Sequence, residues 1–369
     1  MNFLPKKIAK KFFLISSFSS LVVFNIYNFS ESNPDTALLN KGTTALFQND
    51  KDGKYIHCNS SENYTFCVND HLERGGELAA WFGNSQLHAI NQYIEGQDTA
   101  PLILHNMLLK NNKDLITFSY GNANLQEHLI QYNWLRKKKK PKVIILSLVF
   151  DDTREGGLRD DLKKILSKEI NNTIINYSKL NYSEFIKNNY SENIEIKKNL
   201  IPQERLETYL SRRVGNFSNL WKSRSEIAYR YFVFLNRLKN TVFNIKPETK
   251  RSIIKPIFEQ NLEALKTIIK IAYKDETKVY LYIAPINYGH ELPYFEYQYE
   301  DFKSRIRKIS DENKNVYFDN FDRIIPNNLW GLKDSTSNSQ SLEIDFMHFT
   351  ATAHELLSKY IYQRLQEID

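Results

Sequence analysis

The stretch Val143 to Phe150 (VIILSLVF) is apolar at every position but Ser147. Such a run reads as a strand whose two faces are both covered, the condition of a central strand in a parallel sheet. Upstream, Glu77 to Gly83 (ELAAWFG) is a second short buried strand ending at a glycine, and Leu115 to Ser119 (LITFS) a third. Downstream, Val279 to Pro285 (VYLYIAP) repeats the pattern, and Val316 to Phe318 is a shorter version. Helical periodicity lies between them. Gln86 to Ile94, Leu125 to Leu135 and a segment from about Leu158 are predicted helices. A closing helix from Thr350 gathers Ala353, Leu356, Leu357, Tyr360 and Ile361 on one face. Strands alternating with helices predict an α/β fold with a mostly parallel sheet. Between about 170 and 255 the pattern lapses into Asn-, Lys-, Tyr- and Ser-rich sequence with one helix near 223–240. That segment reads as a helical insertion or cap over the sheet.

Of the 369 residues, 41% are apolar and 13% aromatic, enough for a sizeable core. The net charge of +7 is local in origin. Lys6, Lys7, Lys10 and Lys11 precede the first apolar run, and Arg136 to Lys140 form one basic block. Together these nine exceed the total, so the remainder is slightly acidic. A nucleic-acid surface spreads basic residues along a face among aromatics. The pattern here does not, and a nucleic-acid partner is not expected.

Phe12 to Tyr27 (FFLISSFSSLVVFNIY) is an uncharged apolar run directly behind the four lysines. Lysines on one flank keep that flank in the cytoplasm and send the rest of the chain across the membrane. Ser30 and Ser32 make a weak cleavage site, so an uncleaved single-pass anchor is the preferred reading and a removed signal peptide the alternative. Residues 1–28 are then a cytoplasmic tail and signal anchor, 29–75 a polar stem, and 76–369 an exported α/β domain. Cys58 and Cys67 lie nine positions apart in CNSSENYTFC. Outside the cytoplasm a local disulfide in the stem is the simplest reading; two unrelated buried thiols are the alternative. No metal-binding spacing and no phosphate loop occur, so neither metal nor cofactor is expected.

Active sites of open α/β sheets sit at the carboxyl ends of their strands. There Gly83-Asn84-Ser85-Gln86 places a serine at a strand-to-helix turn, where backbone N–H groups of Ser85 and Gln86 can meet a developing oxyanion. Near the other end of the chain comes Asp345-Phe346-Met347-His348. A carboxylate three residues before a histidine can hold the imidazole in the tautomer that a general base needs. Taken singly, Ser85 reads as a helix cap and His348 as a surface histidine. Together, at opposite ends of an α/β pattern, they read as Ser85, His348 and Asp345 of a catalytic triad.

Those two blocks resemble the SGNH (GDSL-like) hydrolases, which carry a nucleophile serine after the first strand and an Asp-x-x-His near the C-terminus. Asn84 stands where that family usually has Asp. The resemblance covers roughly 76–169 and 278–366 and implies a three-layer, flavodoxin-like parallel sheet. It is closest to exported, membrane-anchored members that accompany membrane-bound O-acyltransferases in modifying cell-surface polymers. It implies Ser85 as nucleophile, His348 as base and Asp345 as the orienting carboxylate. The family takes oxyanion donors from a glycine after its second strand and an asparagine after its third. Gly121 fits the first; the third strand instead runs into Asp151-Asp152-Thr153-Arg154, and a carboxylate cannot replace an amide donor unless protonated. Asn122 or Asn124 are substitutes, with plain turn chemistry as their alternative. Asp151, Asp152, Arg154 and Arg159 are placed at the cleft rim, either gripping a polyhydroxyl or anionic acceptor or forming a solvated ion-pair cluster.

The expectation is therefore serine-dependent acyl-ester chemistry, transfer or hydrolysis, on a cell-envelope glycan or polymer. A membrane-bound O-acyltransferase is a possible partner, and the site lies in the bacterial periplasm or at the cell surface. The alternative is an inactive envelope scaffold that keeps the fold and binds a glycan or the acyltransferase.

Overall fold

The computed structural model describes residues 42–59, 63–159, 161–186, 240–243, 246–335 and 342–368. A short strand β1 (Thr43–Ala45) pairs antiparallel with β4 (Ala89–Asn91). The main sheet comprises β2 (His57–Cys58), β3 (Glu77–Gly83), β5 (Lys113–Ser119), β6 (Val143–Leu148), β7 (Lys278–Ile283) and β8 (Val316–Asn320). Its spatial order is β2-β5-β3-β6-β7-β8, and every pairing is parallel. A second antiparallel pair joins β9 (Trp330–Asp334) to β10 (Leu342–Phe349).

Successive side chains of a strand point to opposite faces, so each central strand feeds two cores. Leu78, Ala80 and Phe82 of β3 join Ile144 and Leu146 of β6 under α3 (Leu125–Arg136), α5 (Lys255–Lys274) and α6 (Glu296–Asp311). Ala79 and Trp81 join Ile145, Tyr280 and Tyr282 under α2 (Ala100–Leu109) and α7 (Ala351–Ile368). The result is the parallel α/β sheet expected from VIILSLVF, in the three layers that the resemblance implied. Each fully buried side chain of the size of Leu146 adds about 1.5–3 kcal/mol by leaving water. From β3 the chain first moves outward to β5, then returns to β6 on the other side and continues outward to β7 and β8. In open sheets of this kind the position beyond the carboxyl ends of the two strands at such a reversal is the usual place for a ligand.

Local sequence accounts for several boundaries. Asn124 starts α3 with a capping box: its side chain accepts from the N–H groups of Gln126 and Glu127, and Glu127 reaches back to the Asn124 N–H. Ser167 caps α4 (Lys168–Tyr177) in the simpler way, accepting from the Ile170 N–H.

Four expectations change. Gln86 to Ile94 is not a helix but a 3₁₀ turn (Ser85–Leu87) followed by β4, because Ala89 to Asn91 find a partner strand in β1. The helix placed from Leu158 begins only at Lys168, after a 3₁₀ turn over Leu162–Lys164. The Asp345–His348 block lies within β10, in the stretch between Ile344 and Phe349 where the register with β9 shifts, not in a loop. Finally, much of the predicted stem is built into the α/β domain. β2 is an edge strand of the main sheet, and α1 (Tyr64–Arg74) packs Tyr64 and Val68 into its core. A disulfide joins Cys58 on β2 to Cys67 on α1. The predicted anchor and the helix placed near 223–240 lie outside the described residues, save Asn240. Among the described residues no helix is long and apolar enough to cross a membrane.

Candidate active site

Gly83 ends β3 and lets the chain turn sharply. A Cβ there would stand 2.6 Å from a methyl of Leu87 and 3.1 Å from the Ser147 Cβ, so only glycine lets Leu87 fold beneath the turn. Asn84 then caps it, its Oδ1 accepting from the Gln86 N–H at 2.9 Å. Ser85 is left half-buried at the top of the sheet.

The bulged part of β10 brings the other two groups to it across 263 positions. Ser85 Oγ lies 2.9 Å from His348 Nε2, and His348 Nδ1 lies 2.9 Å from Asp345 Oδ2. A hydroxyl, an imidazole and a carboxylate in this order can pass the hydroxyl proton to the imidazole, whose charge the carboxylate then faces. Asp345 is fully buried and richly solvated by protein. Its Oδ1 accepts from the N–H groups of Met347 and His348, each at 3.0 Å. Its Oδ2 accepts from Thr43 Oγ1 at 3.1 Å and Asn91 Nδ2 at 3.3 Å. Burial alone would raise the Asp345 pKa. The charges of His348 and Lys333, with hydrogen bonds from His348 and the Met347 N–H, outweigh it and hold the carboxyl well below the usual carboxylate range.

Thr43 and Asn91 escaped the sequence reading. Thr43 sits in the polar segment read as a stem, and Asn91 in the segment read as a helix. Only the β1–β4 pairing, with Thr43 opposite Asn91, brings them to the carboxylate.

The oxyanion candidates divide. The N–H groups of Ser85 and Gly121 take no acceptor among the described residues. Gly121 is held from behind, its carbonyl accepting from Arg159 Nη2. The Gln86 N–H is committed to Asn84, and the Gln86 side chain donates to the carbonyls of Pro285 at 2.9 Å and Met347 at 2.7 Å. Gln86 is thus a brace between the nucleophile turn and the strand of His348, with no N–H left for an oxyanion. Asn124 is likewise spent, its oxygen on the α3 cap and its nitrogen on the Gly157 carbonyl at 3.0 Å. Asn122 is exposed in the left-handed region at φ 54°, where Asn is favoured by its turn chemistry.

The rim candidates do not act as one group. Asp151 is bonded to Arg154 at 3.1 Å, Arg251 at 2.6 Å and the Tyr294 hydroxyl at 2.9 Å. Arg154 also donates to the Ser252 carbonyl, which makes this pair part of an ion-pair cluster. Arg159 lies against Glu127 at 3.2 Å and over the Tyr120 ring. Asp152 alone reaches the Ser85 turn, accepting from Asn84 Nδ2 at 2.8 Å. Among the described residues no group of three or more His, Cys, Asp or Glu side chains could hold a metal ion.

No family model matches the chain, and no curated protein matches it. Solved structures do. A provisionally assigned acylhydrolase from Bacteroides fragilis is 11% identical, with a TM-score of 0.38, covering 83% of this chain and 96% of its own. A GDSL-like lipase from Bacteroides thetaiotaomicron is 10% identical, with a TM-score of 0.36, over 83% and 98%. A family 2 carbohydrate esterase with a carbohydrate-binding domain, from Corynascus thermopiles, is 9% identical, with a TM-score of 0.37, over 80% and 67%. At these scores the likeness is loose, and the chemistry has to be read from the site's own atoms.

Proposed function

We propose that the chain is a serine-dependent enzyme of acyl-ester chemistry, of the SGNH type, acting outside the cytoplasm from a membrane anchor. One observation carries the reading: the Ser85–His348–Asp345 relay, with its two 2.9 Å links. As an acyl carbonyl approaches, Ser85 Oγ forms the new C–O bond while His348 Nε2 takes the hydroxyl proton. Asp345, held ionised, faces the imidazolium so formed and keeps its Nδ1–H in place. The N–H groups of Ser85 and Gly121 are the donors available to the tetrahedral oxyanion. Collapse expels the alcohol, which leaves with the proton from His348, and an acyl-serine remains. A sugar hydroxyl or water then attacks that ester by the reverse sequence of proton transfers.

The acceptor we favour is a hydroxyl of a cell-envelope glycan or polymer, with a membrane-bound O-acyltransferase as partner. The lysine-flanked run at 12–27 supports the compartment, and the Cys58–Cys67 disulfide is compatible with it. A fluorophosphonate probe tests the chemistry. It should label the wild type at Ser85, and Ser85→Ala should lose both labelling and hydrolysis of p-nitrophenyl acetate while melting within a degree or two of the wild type. An unlabelled, inactive wild type would instead mark an inert scaffold. A reporter active only outside the cytoplasm, fused after the last residue, tests export, and membrane fractionation tests the anchor.

A further inference from the structure

Asp152 has surroundings that an ionised carboxylate would not choose. It is 5% exposed, at the start of the 3₁₀ turn (Asp151–Arg154) that follows β6. Among the described residues no cation pairs with it. Arg154 and Arg251 are bound to its neighbour Asp151, and Arg159 to Glu127 and the Gly121 carbonyl. Its one side-chain hydrogen bond is from the neutral amide of Asn84, the residue that caps the Ser85 turn. That bond uses Oδ2; among the described residues Oδ1 takes no partner. The group thus stands at the reversal between β3 and β6, bonded directly to the cap of the Ser85 turn, with one oxygen unused among the described residues.

We propose that Asp152 carries a proton and donates it as a hydrogen bond to the oxyanion formed at Ser85, completing the hole begun by the Ser85 and Gly121 N–H groups. The inference rests on the acyl-ester reading above. A neutral carboxyl is a donor through its O–H, which gives it the role of an amide at this position. The groups around it favour that state. Burial is the largest influence and raises its pKa well above the usual range. Asp151 and Glu155 push the same way, and the Asn84 hydrogen bond and Arg159 only partly oppose them. From the far side Tyr294 contributes a neutral phenol, its own pKa also raised by burial.

Three variants of the full chain, Asp152→Asn, Asp152→Ala and Ser85→Ala, test this with p-nitrophenyl acetate across pH. Removing one oxyanion donor costs on the order of 10²–10³ in kcat where it has been measured. Asp152→Ala should therefore lower kcat at least about tenfold with KM little changed. Asp152→Asn, which supplies a donor that cannot ionise, should keep most of the turnover. It should also abolish the alkaline loss of kcat/KM that the wild type shows as Asp152 deprotonates. A folded Asp152→Asn protein that is inactive, or that keeps the wild-type alkaline limb, overturns the proposal. So does full turnover in Asp152→Ala. A separate readout does not depend on activity: the carbon-13 carboxyl resonance that Asp152→Asn removes should report a protonated acid at neutral pH. A carboxylate there refutes the inference. Failure of fluorophosphonate to label Ser85 refutes the acyl-ester reading instead.

Discussion

Thr43 Oγ1 donates to Asp345 Oδ2 at 3.1 Å across 302 positions of chain, and Asn91 Nδ2 bridges the two at 3.1 and 3.3 Å. The carboxylate that orients His348 is thus held by residues from both ends of the domain. Removing a hydrogen bond to a charged group costs about 1.5–3 kcal/mol, here divided between folding and the alignment of His348. Thr43→Val should lower kcat about three- to tenfold at unchanged KM, an estimate from that figure, and Thr43→Ser should restore it. Steady-state kinetics on the three proteins is the check. Equal turnover in Thr43→Val would make Thr43 a packing residue only.

Asp345 makes the sharpest demand of the relay. Asparagine at this position keeps the shape but presents the wrong partner to Nδ1, and the corresponding exchange in the serine-protease triad costs about 10⁴-fold. Here five protein donors converge on the carboxylate, so the loss expected for Asp345→Asn is at least about tenfold in kcat, with His348→Ala worse. Stability supplies a second readout. The folded pKa lies below the unfolded one, so this group's contribution is complete above the unfolded value of about 3.9 and fades as pH falls below it toward the folded value. The acid slope of melting temperature should be shallower in Asp345→Asn than in the wild type.

Gly331 carries an indirect role in the same cluster. A Cβ there would lie 1.8 Å from Asn91 Oδ1, a separation no side chain can accept without moving. Gly331→Ala should push Asn91 off Thr43 and Asp345, lowering both melting temperature and kcat although residue 331 touches no reacting atom. Retained activity with only a lower melting temperature would show that Asn91 is dispensable to the carboxylate.

The two ends of the relay were legible because each has a local signature: a serine after a strand that ends in glycine, and a carboxylate three residues before a histidine. The buried strands were legible for a similar reason, since VIILSLVF and VYLYIAP are apolar in unbroken runs. What failed was what depends on a distant partner. Ala89 to Asn91 read as helix because nothing nearby announces that Thr43 to Ala45 will pair with it. Gln86 read as an oxyanion donor because its N–H opens a turn, and only the structure shows that N–H bonded to Asn84. Asn124 offered two readings, and its side chain is engaged at both ends, the oxygen in the capping box and the nitrogen on the Gly157 carbonyl. Asp151 and Asp152 read together with Arg154 and Arg159 as one cleft rim. Packing separates the two acids into a member paired with arginines and a buried member against an amide.

That separation yields a final prediction. Asn84 and Asp152 form an amide–carboxyl pair at 2.8 Å, in which the amide caps the nucleophile turn and the carboxyl has the spare oxygen. Asn84→Asp would set two carboxyl groups against each other, and such a pair retains one proton because both cannot ionise at this separation. The shared proton is then drawn into the bond between them and away from the oxyanion, so kcat should fall at least about tenfold, as for loss of a donor. Adding Asp152→Asn restores one amide and one carboxyl at exchanged positions. The new carboxylate can still accept from the Gln86 N–H, and the new amide can donate both to it and to the oxyanion. The double variant should therefore be more active than Asn84→Asp alone, with a coupling between the two sites of about 1 kcal/mol or more in a double-mutant cycle. Additive losses, each mutation lowering kcat by the same factor in either background, would show that the pair only shapes the turn and that neither side chain meets the oxyanion.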